Sequence, residues 1–194
     1  NGFSENMRFR VLAYETSQDT PSGFVPLVPG SFTMGSPSGE PGRTTDEIER
    51  SVAMPKPFFL KATEVTWNEW NAVRNQGAAY GYTDIASGRN GLNGDGSGNH
   101  PVTDVSWVDA VKWCNLRSEI EGKKPVYYSD VSLNPSTVVR TGIPTIYPLW
   151  NAGGYRLPTE AEWESACRAG AATAFFSGPI TNTTADANLD TAGW

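Results

Sequence analysis

The sequence predicts an α+β protein of short strands and few helices joined by long loops. Three observations carry that expectation. Glycine (20) and proline (14) are abundant among 194 residues, which favours turns and short elements over long regular ones. Three segments share one helix-start design, a Ser or Thr followed three residues later by Asp or Glu. Around them run short apolar stretches of strand character.

Bulk properties narrow the class. Hydrophobic residues make up 38%, with seven Trp, seven Tyr and eight Phe, enough to build a core rather than a disordered chain. The net charge is −6 and there is no basic run, so nucleic acid is not an expected partner. No stretch reaches the length of a transmembrane helix, so membrane insertion is not expected. The opening NGFSENMRFR lacks the apolar run of a signal peptide, so any export signal would be removed or lie upstream. Two cysteines cannot define a disulfide framework, and one histidine argues against a His-based metal site.

Along the chain, residues 7–15 (MRFRVLAYE) alternate as a strand does, and TSQDTPSG (16–23) reads as a linker. FVPLVPGSFTMGS (24–36) gives two strands about a turn at Pro29-Gly30. Residues 36–50 are polar and read as an exposed loop. KPFFLKATEV (56–65) is a strand, with Phe58, Phe59 and Leu60 expected inside. Helices then start at Thr66, Ser106 and Thr159, with Glu69, Asp109 and Glu162 three residues on. Each pair fits a capping box, in which the hydroxyl takes the third N–H of the helix and the carboxylate takes the N–H of the cap. The acid also suits the positive helix end. In the second helix Trp107, Ala110, Val111 and Cys114 fall on one stripe, expected to be buried; in the third, Trp163, Ala166 and Cys167 do the same, with Gly170 as the stop. Residues 91–100 and 129–155 read as loops, the second with short strands around Thr137–Arg140 and Thr145–Tyr147.

The search for chemistry starts at RLPTEAEWE (156–164), where Glu160, Glu162 and Glu164 crowd beside Arg156. Catalytic carboxylates must converge on a cleft with separated pKa values. Glu160 and Glu162 are two apart on a helix and do not face each other, and Glu162 already serves the cap. The reading is structural, with Arg156 pairing Glu160 or Glu164. GLNGDGSGN (91–99) alternates Asn93, Asp95, Ser97 and Asn99 but lacks the closing Glu of a calcium loop, so a plain loop is favoured. ADANLD (185–190) offers Asp186, Asn188 and Asp190 as hard-cation oxygens, or simply a turn. His100 precedes Pro101 and has no visible triad partner; no phosphate loop, nucleophile elbow or zinc-protease motif occurs. Cys114 and Cys167 read as buried thiols or disulfide partners rather than nucleophiles. Asn182-Thr183-Thr184 is a glycosylation sequon, meaningful only in a eukaryotic secretory setting.

Four blocks in order, VPLVPGSFTMGS, FFLKATEVTWNEW, HPVTDVSWVDAVKWCN and YRLPTEAEWESACRAG, resemble the sulfatase-modifying-factor family, the formylglycine-generating-enzyme type of domain. The resemblance runs from about Gly23 to Trp194 and implies a variant of the C-type-lectin-like fold. It places a calcium site at Asn188 and Leu189, through the Asn side chain and the following carbonyl. It matches Cys114 and Cys167 to positions that in some members pair with later cysteines. AFFSGPITN departs from the common PWGN of the family. The family's G-N-V-W-E-W, G-G-S-W and G-F-R blocks, and its copper-binding cysteine pair, would fall beyond Trp194, so the chain is similar to the larger first part of such a domain. Residues 1–16 are similar to the last strand of a preceding β-domain, or a linker, leaving 17–194 for the family domain.

Two functions follow from the resemblance. One is copper-dependent oxidation of a sulfatase cysteine to formylglycine, with copper present only if the later cysteine pair is. A second polypeptide would then complete the domain. The other is a calcium-stabilised extracellular module that binds protein or glycan, since one fold hosts many sites. Either implies a secreted, periplasmic or cell-surface bacterial protein.

Overall fold

The computed structural model describes residues 12–13, 20–91 and 96–192. In chain order its strands and α-helices are β1 (Leu12–Ala13), β2 (Phe24–Leu27), β3 (Gly30–Met34), β4 (Arg50–Met54), β5 (Phe58–Lys61), α1 (Trp67–Arg74), β6 (Arg89–Asn90), β7 (Val102–Thr103), α2 (Trp107–Ile120), β8 (Tyr127–Tyr128), β9 (Tyr147–Pro148), β10 (Tyr155–Arg156), α3 (Glu160–Arg168) and α4 (Ala187–Ala192). The α+β expectation holds: short strands and few helices are set in abundant loop. Of the strand expected over 7–15, Leu12–Ala13 is observed and the rest lies outside the described residues. The chain divides into two compact units, Asn1–Pro26 with Phe58–Leu157, and Leu27–Pro57 with Pro158–Trp194.

The first unit is built round α2. A four-stranded sheet runs β10-β1-β5-β2, with β1 antiparallel to both β10 (Leu12 opposite Arg156) and β5 (Leu12 opposite Leu60). α2 is enclosed nearly all round: Ala110, Val111, Trp113, Cys114 and Leu116 are buried, and so are the polar Lys112, Asn115 and Ser118. Buried polar groups are tolerated only when hydrogen-bonded, and these are. The Asn115 amide donates to the Tyr127 and Val139 carbonyls (2.8 and 3.1 Å) and its oxygen accepts from the Val126 and Tyr127 N–H groups (3.1 and 3.0 Å). Ser118 donates to the Cys114 carbonyl and accepts from Tyr155 N–H. Lys112 meets the Asp84 carboxylate at 2.8 Å. The Trp70 and Trp113 rings lie parallel, 5.7 Å apart, and Trp113 donates to the Trp70 carbonyl.

The second unit carries the β3/β4 hairpin, paired Gly30 to Met54 through Met34 to Arg50, with α3 against β3. Its loop 36–47 is drawn in by Glu47, whose carboxylate accepts from the Ser36 hydroxyl (2.7 Å) and the Thr44 hydroxyl (2.8 Å).

All three capping boxes form. Glu69, Asp109 and Glu162 accept from the N–H of Thr66, Ser106 and Thr159 at 2.9, 3.0 and 2.8 Å, and each cap hydroxyl accepts in return. The expected stripes need correction. In α2 Ala110, Val111 and Cys114 are buried, but Trp107 is 44% exposed. In α3 Trp163 is 52% exposed and Cys167 only half-buried. The reason is which flank of α3 meets the hairpin. Glu164 accepts from Gly35 N–H (2.9 Å) and Arg168 donates to the Gly35 carbonyl (2.5 Å), so the 164/168 flank is the one tied to the hairpin. Arg168 also pairs with Glu164 at 2.8 Å, and Glu160 faces Arg50 at 3.9 Å; these are the cations the two glutamates meet, where Arg156 was expected. Arg156 is buried instead with its guanidinium over Trp150. α3 stops at Ala169, left-handed at φ 48°, one residue before the expected Gly170. Phe58 and Leu60 are buried as expected, but Phe59 only partly. Of the two strands expected in the long loop, the second appears as β9; the first is a single bridge from Val138 to Tyr128 after a 3-10 turn at Pro135–Thr137.

Candidate functional site

The segment that follows α3 folds back on itself through one carboxylate. Asp186, 5% exposed, stands just before α4. Its Oδ2 accepts from the Thr181 N–H, the Thr181 hydroxyl (2.9 Å) and the Asn182 N–H (2.8 Å). Its Oδ1 accepts from the Asn188 and Leu189 N–H groups at 2.9 and 3.3 Å. The N–H of Thr181, then that of Asn182, hold this carboxyl well below the usual carboxylate range, against the opposing effect of burial. Both oxygens are committed to the backbone, so Asp186 shapes the turn rather than offering itself to a cation.

Asn188 is fixed by three bonds. Its side-chain amide donates to the Pro179 carbonyl (2.8 Å), its N–H goes to Asp186, and its carbonyl accepts from the Ser177 hydroxyl (2.6 Å). Gly178, at φ 146°, lies over this side chain: a Cβ there would sit 2.9 Å from Asn188 Nδ2, so glycine is required. With the amide nitrogen tied, Oδ1 is left with no donor among the described residues. Leu189 belongs to the last four residues of α4, whose carbonyls lack intrahelical donors.

These two oxygens suit calcium in kind, being hard and neutral, but calcium takes about six to eight. Among the described residues no cluster of three His, Cys, Asp or Glu side chains stands ready to hold a metal. Asn188 and Leu189 alone would therefore fall well short of a calcium ligand set. In the Gly-rich loop, Asn93 and Asp95 lie outside the described residues. The Ser97 carbonyl and Asn99 Oδ1 accept from the Asn68 amide, tying that loop to α1. The His100 carbonyl accepts from Trp67 N–H and the Gly98 carbonyl from Asn68 N–H, so this segment satisfies the open N–H groups at the start of α1.

Copper is a poorer match to the thiols present. Copper(I) takes thiolates, and Cys114 is wholly buried, with desolvation pushing its thiol up to about 12. Cys167 lies on α3 of the other unit, and neither cysteine forms a disulfide. The residues described here do not provide a copper pair.

Beside the Asp186 turn an open cleft of about 280 Å³ separates a wall of Glu40, Gly42 and Arg43 from Phe175, Ile180 and Leu189. Sequence reading did not find it, because its walls are more than 130 residues apart in the chain and neither has a motif.

This α+β scaffold of short strands and few capped helices set in abundant loop has a C-type-lectin-like architecture. Within that class the chain belongs to the family of the sulfatase-modifying factor enzyme 1-like domain, which matches residues 9–192. It is 30% identical over 143 residues to the chaperone protein LppX of Paenibacillus barcinonensis, covering 71% of this chain and 43% of that protein. It is 28% identical over 170 residues to the formylglycine-generating enzyme of Bos taurus, covering 80% and 42%. Among solved structures it is similar to CarF, at 31% identity and TM-score 0.60, covering 76% of this chain and 56% of that one. It also shares the fold of Treponema denticola variable protein 1, at 24% identity and TM-score 0.61, covering 83% and 56%. The chain thus spans under half the length of these curated relatives. No helix among the described residues is long and apolar enough to cross a membrane.

Proposed function

We propose that this chain supplies the framework and two calcium ligands of a formylglycine-generating-enzyme-type domain, whose whole-protein activity is oxidation of a sulfatase-type cysteine to formylglycine. The observation that carries the reading is the tethered Asn188: its amide nitrogen is spent on Pro179, which leaves Oδ1 for a cation. Calcium would lock the 177–190 corner and so the adjoining cleft wall. Any copper-binding thiolate pair would come from outside the residues described, since Cys114 and Cys167 do not form one. A calcium-stabilised corner of this kind fits a secreted, periplasmic or cell-surface setting.

Calcium binding is read by thermal melting. At a hundredfold excess over Kd it adds about 2.7 kcal/mol, a rise of several degrees, which magnesium does not reproduce and Asn188→Ala abolishes. An unchanged Tm in calcium removes the site. Oxidase activity is read separately, as oxygen uptake and aldehyde formation by the intact protein with copper and a Cys-x-Pro-x-Arg peptide. The 30% identity to a protein named a chaperone favours a second reading, a protein-binding module without redox chemistry. Calcium-dependent melting without aldehyde formation selects that reading.

A further inference from the structure

The second unit keeps apolar groups at a cleft and buries few in a core. Of the buried hydrophobic residues, Met34 alone belongs to it among the described residues; the rest are in the first unit. Phe175, Ile180 and Leu189 are all at least partly exposed, and they line the open cleft beside the Asp186 turn, across from Glu40 and Arg43. Both walls belong to this one unit. The space measures about 280 Å³, near the lower limit of about 300 Å³ for small-molecule pockets. It has room for a side chain or two and not for a large cofactor.

Each wall is held by hydrogen bonds of its own. Phe175 and Gly178 exchange N–H···O bonds in both directions, at 3.0 and 3.1 Å. The Asp186 carboxylate fixes Thr181, Asn182 and Leu189. Opposite, Arg43 Nε donates to the Ser36 carbonyl at 2.9 Å, and Glu47 accepts from the Ser36 and Thr44 hydroxyls. A prearranged site loses less to ordering when a ligand enters.

The lining is negative. Glu40, Glu47 and Asp186 set three carboxylates against the single guanidinium of Arg43. They stand in a unit with nine Asp and Glu against four Lys and Arg, which carries nearly all of the chain's net charge of −6. The three carboxylates differ in what they have left. Glu47 and Asp186 are taken up by the hydrogen bonds just given. Glu40 engages through its backbone, its N–H donating to the Pro37 carbonyl (2.9 Å) and its carbonyl accepting from Arg43 N–H (3.3 Å). Its half-buried carboxylate meets no donor among the described residues. An anion drawn to Arg43 would have to enter among three carboxylates, whereas a cation finds Glu40 unspent.

We propose that this cleft binds a basic, apolar-flanked segment of another polypeptide. The charged head of a Lys or Arg pairs with Glu40, and its aliphatic stem lies along Phe175, Ile180 and Leu189, an arrangement that suits long cationic side chains. Charge complementarity selects the occupant, and the acidic unit around the cleft draws it in. The assignment rests on the cleft alone. It uses neither copper, nor calcium, nor a sulfatase-type cysteine, and so goes beyond both readings of the whole protein.

Binding is read with the intact protein in copper-free buffer, by fluorescence anisotropy of a dye-labelled Gly-Leu-Lys-Leu-Gly peptide. Its counterparts carry acetyl-lysine or Glu at the centre. The Lys peptide should bind saturably, and acetylation should weaken it about fivefold, the upper end for a partly exposed ion pair. Glu40→Gln should keep the parent Tm and weaken the Lys peptide by the same factor while leaving the acetyl-lysine peptide unchanged, so that the two losses do not add. Phe175→Ala should weaken both peptides alike, through lost apolar contact. Absence of saturable binding overturns the proposal. So does equal binding of the Lys and acetyl-lysine peptides, or a Glu40→Gln loss that is the same for both. Tighter binding of the Glu peptide also overturns it, by giving the cleft to an anion at Arg43. A dimer in sedimentation that Glu40→Gln dissociates overturns it as well, because the occupant is then a second copy. Aldehyde formation and calcium-dependent melting are scored without this peptide, so failure of either reading and failure of the cleft are told apart.

Discussion

Two residues show what a single side chain does here. Asn115 spends its whole hydrogen-bonding capacity inside the first unit, on partners 11 to 24 positions away. No local pattern betrays such a role, because Asn in a helix is read as a weak helix former and nothing more. Asp186 was legible in kind, since ADANLD offered either a cation site or a turn, and the geometry assigns Asp186 itself to the turn. Its consequence is a pH dependence of definite sign. The folded carboxyl titrates below its unfolded value of about 3.9. Its contribution is therefore complete above that value and is lost as pH falls through the folded one. Melting temperatures of the parent and of Asp186→Asn should run parallel from pH 7 to about 5 and converge below about 4. A gap that stays constant down to pH 3 would show that the carboxylate charge is not what holds the turn.

At the scale of elements, legibility tracked how local the cause was. The capping boxes were readable because donor and acceptor are three residues apart and the geometry is fixed by the helix itself. Replacing Ser106 by Ala removes the acceptor for Asp109 N–H and should cost about 1 kcal/mol in urea unfolding, with Thr restoring most of it. Equal stability of Ser106→Ala and the parent would show that the cap is redundant in so enclosed a helix. The burial of α3 was misread from the same letters. Periodicity shows that Trp163, Ala166 and Cys167 share a flank, but the covered flank is chosen by Gly35, more than 120 residues away. Gly35 itself needs its left-handed φ of 98° and would clash with the Ile48 carbonyl as alanine, at 2.7 Å. The strand expected near Thr137–Arg140 shrank to one bridge because Asn115 takes the Val139 carbonyl.

At the scale of the molecule, the family and its fold class were readable from four ordered blocks, and the family match over residues 9–192 and the similarity to CarF agree with both. The division into two units was not, because the second unit is assembled from two separated stretches, 27–57 and 158–194. What sequence could not convey is how unevenly the core is shared between them. A protease presented with the native chain should meet that unevenness as a difference in durability. Cleavage follows local opening, and opening is cheap where few apolar groups must be drawn into water. The early cuts should fall within 27–57 and 158–192, and the continuous stretch 58–157, organised on α2, should survive as the long-lived fragment seen by mass spectrometry. Early cutting inside 107–120 would contradict this. In a cell the same asymmetry would set the protein's lifetime: the poorly filled unit decides when degradation starts, however well the other is packed.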